Sequence, residues 1–268
     1  MKEPISQVLQ DSFVYSCTFE KRRGYEQFVP NHVLAFQISG ETHIEYQHGI
    51  QVLKASQVLL TRKNQLAKSL KLPADDKEYK IISVIFSADV LHQFAIGNNI
   101  VTGKKYFGPK SLLIKPDAFL NTYFYSLLPY VEKPGSINKK LAILKTAEAI
   151  ELLLQMDPGL SNFLFDFSEP HKIDLEKFMQ ENFRYNVPVA NFATLSGRSL
   201  AAFKRDFVNI FHVPPRKWLQ DKRLKEAHYL IEQKQKRPAD IYLDLGFENL
   251  SHFYRSFKQK YGVTPAEL

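Results

Sequence analysis

The sequence predicts an α+β protein of two domains, the first rich in β-strands and the second entirely helical. Three observations predict this division. Residues 12–90 contain short runs of Val, Ile, Phe and Tyr separated by turn signals. The later residues show the apolar spacing of helices, and a stretch with two prolines and a glycine separates the last hundred residues from the rest.

Composition indicates an ordinary globular protein. The 268 residues are 44% apolar and 24% charged, which is enough apolar material for a core. The first residues lack the apolar segment of a signal peptide, and the most apolar short run, Ile81–Phe86, is too short to cross a membrane. The single cysteine, Cys17, excludes an internal disulfide. We therefore expect a cytoplasmic protein with no membrane partner.

Charge is concentrated in the last third of the chain. The net charge is +8, and residues 170–268 hold 17 basic and 11 acidic residues, a net charge of +6. A basic surface attracts nucleic acid phosphates, anionic membranes or acidic proteins, so charge alone leaves these partners open.

The N-terminal strands alternate with turns, which predicts a barrel or a sandwich. Ser39-Gly40 marks one of the turns. The predicted strands are residues 11–19, 32–39, 42–47, 50–60 and 79–86.

A helix pair follows the strands. Helical spacing covers Phe119–Val131 and Ile137–Met156, and the two helices are expected to lie antiparallel beside the strands. We place the first domain at residues 1–157, including this helix pair at about 117–156. Residues 158–170 are predicted to be the linker.

The C-terminal domain, residues 171–268, is predicted to be a series of short helices. Asp174 and Ser199 are suited to cap two of them. The predicted helices after the first are residues 189–195, 200–211, 215–233, 239–245 and 249–261.

The pattern Phe-x-Arg-x-Phe occurs twice in this domain, with an offset of 50 residues between "FKRDF" and "FYRSF". A repeat of this kind indicates one structural unit used twice. Helical spacing predicts that Leu200, Phe203 and Phe207 share a buried face, and that Leu250, Phe253 and Phe257 share its equivalent. Arg205 and Arg255 must then point outward.

In each copy a short helix, a turn with glycine and a capped helix follow one another, which is the layout of a helix-turn-helix. The first spans about 188–211 and the second about 238–261, with a linker helix at about 215–233 between them. An outward arginine in such a motif can bind guanine in the DNA major groove. Ordinary helical hairpins with surface arginines are the alternative, and the two copies at fixed spacing favour DNA binding.

The C-terminal residues, about 170–268, resemble the DNA-binding domain of AraC/XylS-family transcription regulators. "SLAAFKRDF" and "DLGFENLSHFYRSFKQKYGVTP" carry the resemblance. It implies two recognition helices that contact successive major-groove segments of a promoter. By position, the residues expected at DNA are Ser199, Ala201, Ala202, Lys204, Arg205, Val208, Asn249, Leu250, Ser251, Tyr254 and Arg255. Leu250 departs from the polar residues common there, so it contacts a thymine methyl or the second helix contacts mainly the DNA backbone.

Residues 32–65 resemble the cupin-like barrel that such regulators carry, with "SGE" at a hairpin. The resemblance implies that this domain senses a small-molecule effector or a regulatory protein, and that residues 117–156 form a homodimer. It further implies a bacterial regulator, expected to be an activator that acts on RNA polymerase.

A metal-dependent enzyme on a cupin-like barrel is the alternative function. Such a site requires clustered metal ligands, and His32, His43, His48 and His92 do not have that spacing. No arrangement for nucleophilic catalysis and no phosphate-binding glycine loop is evident in the sequence. We therefore expect no enzyme activity, no metal site and no cofactor.

Overall fold

The computed structural model divides the chain into two compact units, Met1–Ser168 and Glu169–Leu268. The first unit is β-rich and the second is helical, which confirms the predicted α+β class. The structure describes residues 4–24, 27–46, 49–75, 77–101, 105–133, 135–168 and 170–268.

The strands of the first unit form antiparallel sheets. In chain order the strands are β1 (Ile5–Leu9), β2 (Phe13–Thr18), β3 (Arg22–Arg23), β4 (Phe28–Val29), β5 (His32–Ser39), β6 (Glu41–Tyr46), β7 (Gly49–Lys54), β8 (Val58–Thr61), β9 (Gln65–Leu66), β10 (Lys68–Leu72), β11 (Tyr79–Phe86) and β12 (Ser111–Ile114). Within the described residues the larger sheet has the order β1-β2-β11-β5-β8-β12, the smaller has the order β3-β10-β6-β7, and β4 pairs with β9.

The predicted strand 50–60 is two strands in the structure, and they belong to different sheets. β7 pairs with β6 in the smaller sheet, whereas β8 lies between β5 and β12 in the larger one. The chain turns at Ser56, which has a φ of 65° and donates its N–H to the Gln37 carbonyl at 2.7 Å. The run of apolar residues on both sides of this turn concealed it in the sequence.

Helices cover one side of the larger sheet. The predicted helix pair is confirmed, with its ends shifted by two residues at most, and Asp117 and Asn138 cap the two helices. The ring of Phe36, on β5, stacks on Phe124 with 4.8 Å between ring centroids. The helices are α1 (Ala88–Gly97), α2 (Ala118–Glu132), α3 (Lys139–Met156) and α4 (Leu160–Leu164).

Most of the predicted linker, residues 158–170, packs into the first unit. Phe163 and Phe165 are at most 2% exposed and belong to its hydrophobic core. Asp166 forms an ion pair with Arg62 and accepts a hydrogen bond from the Tyr106 N–H at 3.0 Å. The proline and glycine that indicated a linker form only the turn before α4, and the apolar residues after them are buried.

The second unit consists of short helices that agree closely with the predicted ones. The largest difference is the predicted helix 239–245, of which only the first turn is α-helical. The helices are α5 (Leu175–Asn182), α6 (Val189–Leu195), α7 (Leu200–Phe211), α8 (Pro215–Glu232), α9 (Pro238–Ile241) and α10 (Leu250–Tyr261).

One buried histidine in the first unit makes stability depend on pH. His32 is 1% exposed, and its Nε2 lies 3.0 Å from the Phe163 carbonyl oxygen. Burial, with a smaller contribution from the charge of Lys63, lowers the pKa of His32 to about 3. An unfolded chain has a histidine pKa near ~6.5. Below that pH the unfolded state binds a proton that the folded state does not bind, so acid favours unfolding.

We expect the free energy of unfolding of the first unit to be independent of His32 above pH ~6.5 and to fall by about 2 kcal/mol at pH ~5. The variant His32→Gln keeps a donor for the Phe163 carbonyl but cannot titrate. Calorimetric unfolding of both proteins between pH ~5 and ~7.5 measures the difference. The same pH dependence in both proteins would contradict the assignment of this proton uptake to His32.

Candidate nucleic-acid interface

The turn between α6 and α7 has a fixed geometry. Gly197 has a φ of +68°, and a Cβ at this position would lie 2.3 Å from the backbone carbonyl carbon of His171. Backbone hydrogen bonds from Gly197 and Arg198 to the carbonyls of Thr194 and Ala193, both 3.0 Å, close the turn. Only glycine fits this backbone without strain and collision, so the turn determines how α7 leaves α6.

Two buried rings determine which face of α7 is exposed. Phe203 and Phe207, one turn apart, are both 0% exposed. The opposite face contains most of the residues predicted to contact DNA. Ala201, Lys204, Arg205 and Val208 are exposed, and Ala202 is partly buried.

Both ends of α7 adopt favourable capping geometry. The Ser199 hydroxyl accepts a hydrogen bond from the Ala202 N–H at 3.2 Å, as predicted. His212 ends the helix in the left-handed conformation, with a φ of 58°. Leu200 was predicted on the buried face and is 41% exposed, so that prediction is wrong. It is the first residue of α7, and the first buried ring comes almost one turn later.

The two arginines near the start of α7 have different environments. Arg198 is 10% exposed at its side chain and donates to the carbonyls of Ile173 (3.0 Å) and Ser196 (2.8 Å) and to Asp206 (3.2 Å). Arg205 is 69% exposed and has a longer contact with Asp206, at 3.3 Å. The hydrogen bond from Arg198, with a smaller contribution from Arg205, lowers the pKa of Asp206.

Arg198 was not singled out in the sequence, although it follows the turn glycine directly. Its partners are mainly backbone carbonyls, which have no sequence signature. It holds the start of α7 to the segment before α5, whereas Arg205 remains available at the surface.

The second motif repeats this construction with a different surface. Gly246 has a φ of +86° in the turn, and the Asn249 side chain accepts a hydrogen bond from the His252 N–H at 2.7 Å. Phe253 and Phe257 are both 0% exposed, so they repeat the buried pair of α7. α10 therefore has the same rotation about its axis relative to its own core.

Fewer of the residues predicted to contact DNA are exposed on α10 than on α7. Asn249, Ser251 and Arg255 are exposed, as expected for residues that contact DNA. Leu250 and Tyr254 are partly buried and pack against the hydrophobic core around Phe253. His252, which was not predicted as a site residue, is exposed on the first turn of this helix.

The long helix α8 packs against both motifs. Trp218, near its start, contacts the rings of Phe207 and Phe211, with centroid distances of 5.6 and 4.6 Å. His228, near its end, lies against Phe257 and Tyr261, at 6.0 and 4.6 Å. Leu224 and Ala227 are buried between these two contacts.

Two further findings concern metal sites and membrane-spanning helices. In the described part of the chain, no group of three or more His, Cys, Asp or Glu side chains is placed to hold a metal ion. His48 of the sequence analysis lies outside the described residues. None of the helices within the described ranges combines the length and the apolar character needed to span a bilayer.

Two glycine-containing turns, two capped helices with outward arginines and a shared long helix define a double helix-turn-helix protein. A helix-turn-helix domain model matches residues 192–268, and the model of the ExsA N-terminal regulatory domain matches residues 32–163. Together the two matches support an AraC/XylS-family regulator with an N-terminal regulatory domain.

The chain is similar to named transcription regulators over part of its length. The virulence regulon transcriptional activator VirF of Yersinia enterocolitica is 32% identical over 35% of this chain. The transcriptional regulator ExsA of Pseudomonas aeruginosa is 30% identical over 47% of it. The matches span 34% and 46% of the length of these relatives. A solved structure of ToxT from Vibrio cholerae is 16% identical, with a TM-score of 0.43 and coverage of 96% of this chain and 97% of that chain.

Because Arg198 and Arg205 have different environments, we expect their replacement to change the free energy of unfolding by different amounts. Arg198→Ala leaves the Ile173 and Ser196 carbonyls without this donor, so we expect the free energy of unfolding of the second unit to fall by about 2 to 4 kcal/mol. Arg205→Ala removes an exposed side chain with one weak ion pair, and we expect a change below about 0.5 kcal/mol. Urea unfolding followed by the fluorescence of Trp218, the single tryptophan, measures both. Equal losses would show that Arg198 has no special structural role.

Proposed function

We propose that this protein is a sequence-specific DNA-binding transcription regulator. The observation that carries the proposal is the matched pair Arg205 and Arg255, each exposed two residues after a fully buried phenylalanine of a helix-turn-helix. The relative VirF is named a transcriptional activator, which favours activation over repression.

In this proposal α7 and α10 enter successive major-groove segments. The Arg205 guanidinium donates two hydrogen bonds to O6 and N7 of a guanine, and Lys204 contacts a phosphate. Ala201 and Val208 form the apolar part of this surface, while Ala202 lies at its edge. The free N–H groups at the start of α7, beside the Ser199 cap, bind a second phosphate.

Two of the predicted contact residues of α10 are partly buried. Arg255 and Ser251 are exposed, and we propose that they contact the bases. Leu250 and Tyr254 are held against the core, which supports a smaller contribution to base selection. Asn249 positions the start of α10 at a phosphate through its capping hydrogen bond. We therefore propose that α7 contributes more sequence selectivity than α10.

Arg205→Ala should weaken binding to the preferred duplex by about 1 to 3 kcal/mol and relax base preference at one position, because it removes a bidentate contact. Lys204→Ala should weaken binding to all sequences similarly, because a phosphate contact carries no sequence information. Selection from a random duplex pool, followed by titration at fixed salt, measures both effects. Unchanged binding by the double variant Arg205→Ala/Arg255→Ala would contradict the assignment of these helices.

The exposed surface of the helix pair supports a homodimer through residues 117–156. Phe119 is 73% exposed, Leu144 58% and Tyr125 50%, and Ile143 also faces solvent. Apolar side chains concentrated on one helix pair are typical of a protein interface. A second copy of the chain is the partner that we propose for this face.

Leu144→Asp should raise the dimer dissociation constant about tenfold or more, because it places a charge in an apolar contact. Leu113→Asp is the matched control, since Leu113 is 48% exposed on β12, outside the helix pair. Sedimentation velocity over a concentration series gives both constants. An equal effect of the two substitutions would argue against this interface.

We further propose that the first unit receives the regulatory signal. Its match to the ExsA N-terminal regulatory domain supports this role. The signal is a small-molecule effector or a regulatory protein, and a thermal-shift screen with metabolites, beside a pull-down from the host, separates the two. For an activator of this kind RNA polymerase is the proposed target in the cytoplasm.

A further inference from the structure

Arg223 of α8 connects the two helix-turn-helix motifs directly. Its Nε donates to the Phe183 carbonyl and its Nη2 to the Tyr185 carbonyl, both at 2.8 Å, in the segment between α5 and α6. Its Nη1 donates to the Gly246 carbonyl at 2.9 Å, in the turn before α10. One guanidinium therefore holds backbone groups that belong to both halves of the domain.

The three hydrogen bonds of Arg223 form a joint between the two motifs, and the environment of Arg223 is consistent with a rigid one. Burial lowers the pKa of Arg223 to about 10, so the group remains charged at neutral pH. The guanidinium donates to three uncharged backbone carbonyls. Three neutral acceptors in fixed directions suit the planar fork of arginine and do not suit the single ammonium of lysine.

Other contacts at the same joint leave little space. The Asn186 amide donates to Glu248 at 3.1 Å, which joins the α5–α6 segment to the second turn a second time. A Cβ at residue 246 would lie 2.8 Å from the Arg184 carbonyl oxygen and 2.9 Å from the Arg223 guanidinium carbon. Glycine at this position lets the turn approach both groups closely.

We propose that Arg223 is a positioning residue that fixes the orientation of α10 relative to α7, and so fixes the spacing between the two DNA segments that the protein binds. This inference rests on the proposed function. Each base pair inserted between the two segments moves the second one by about 3.4 Å and rotates it by about 35°. A rigid joint cannot follow that change, whereas a loosened joint can follow part of it.

The experiment uses the full chain and a duplex selected by the wild-type protein from a random pool, with versions that carry two extra base pairs between the contacted segments. We expect the insertion to weaken wild-type binding about 20-fold or more, because one recognition helix loses its contacts. We expect Arg223→Lys to reduce this penalty to about fivefold or less, because the joint is then flexible. Affinity for a duplex with only the first segment should stay unchanged.

One control and a second joint variant make the result specific. Lys225→Gln lies two residues away on the exposed face of α8 and should retain the wild-type spacing penalty. Asn186→Ala removes the solvent-exposed hydrogen bond to Glu248 and should also reduce the penalty. This variant decides the question if Arg223→Lys does not fold.

The outcomes separate this inference from the proposed function. Wild-type protein that selects no duplex would overturn the proposed function. Wild-type protein that selects a two-segment duplex, with the full spacing penalty retained in both joint variants, would overturn only the role of Arg223.

Discussion

The second unit depends on one repeated interaction. On each of the helices α7 and α10, two phenylalanine rings one turn apart are buried. Phe203 and Phe207 on α7, and Phe253 and Phe257 on α10, are all fully buried. Burial of such a side chain stabilises a fold by about 1.5 to 3 kcal/mol, so each pair determines the rotation of its helix. A residue two positions after the first ring lies about 200° around the helix and must face outward. The outward direction of Arg205 and Arg255 follows from the rings.

The motifs share this internal construction, but their surfaces differ. On α7 the exposed face carries Lys204 and Arg205, whereas the equivalent positions of α10 carry Tyr254, which packs against the core, and Arg255. The hydrogen bonds of Arg223, which join the two motifs, bear on this difference between the surfaces of α7 and α10. Because both motifs are held to one helix and to each other, α10 lies at a defined distance from α7 although fewer of its predicted contact residues are exposed. In our proposal the second helix contributes position as much as base selection.

The sequence predicted the helical unit more accurately than the β-rich one, for a physical reason. Helix ends are marked by local signals, and the predicted caps Asp174 and Ser199 both form as expected. Strand pairing depends on distant residues, so β7 and β8 could not be assigned to different sheets from their own residues.

The residues missed at the candidate site have a similar explanation. Arg198 and Arg223 donate mainly to backbone carbonyls, and every residue has a carbonyl. No pattern of side chains therefore indicates their partners. The burial of Leu160 and of residues 163–165 was missed because the proline and glycine before them suggested an exposed linker.

The ion pair between Arg205 and Asp206 raises the question of how Arg205 can bind DNA while a carboxylate is beside it. The pair is exposed, with 3.3 Å between Arg205 and Asp206, and solvent screens an ion pair of that kind. Arg198 makes the shorter contact and contributes most to the lowered pKa of Asp206. When Arg205 turns toward a guanine, Asp206 therefore keeps a buried cationic partner. The free energy lost when Arg205 leaves Asp206 is smaller than the free energy gained from a bidentate base contact, which is about 1 to 3 kcal/mol. The arrangement therefore favours release of Arg205 to DNA.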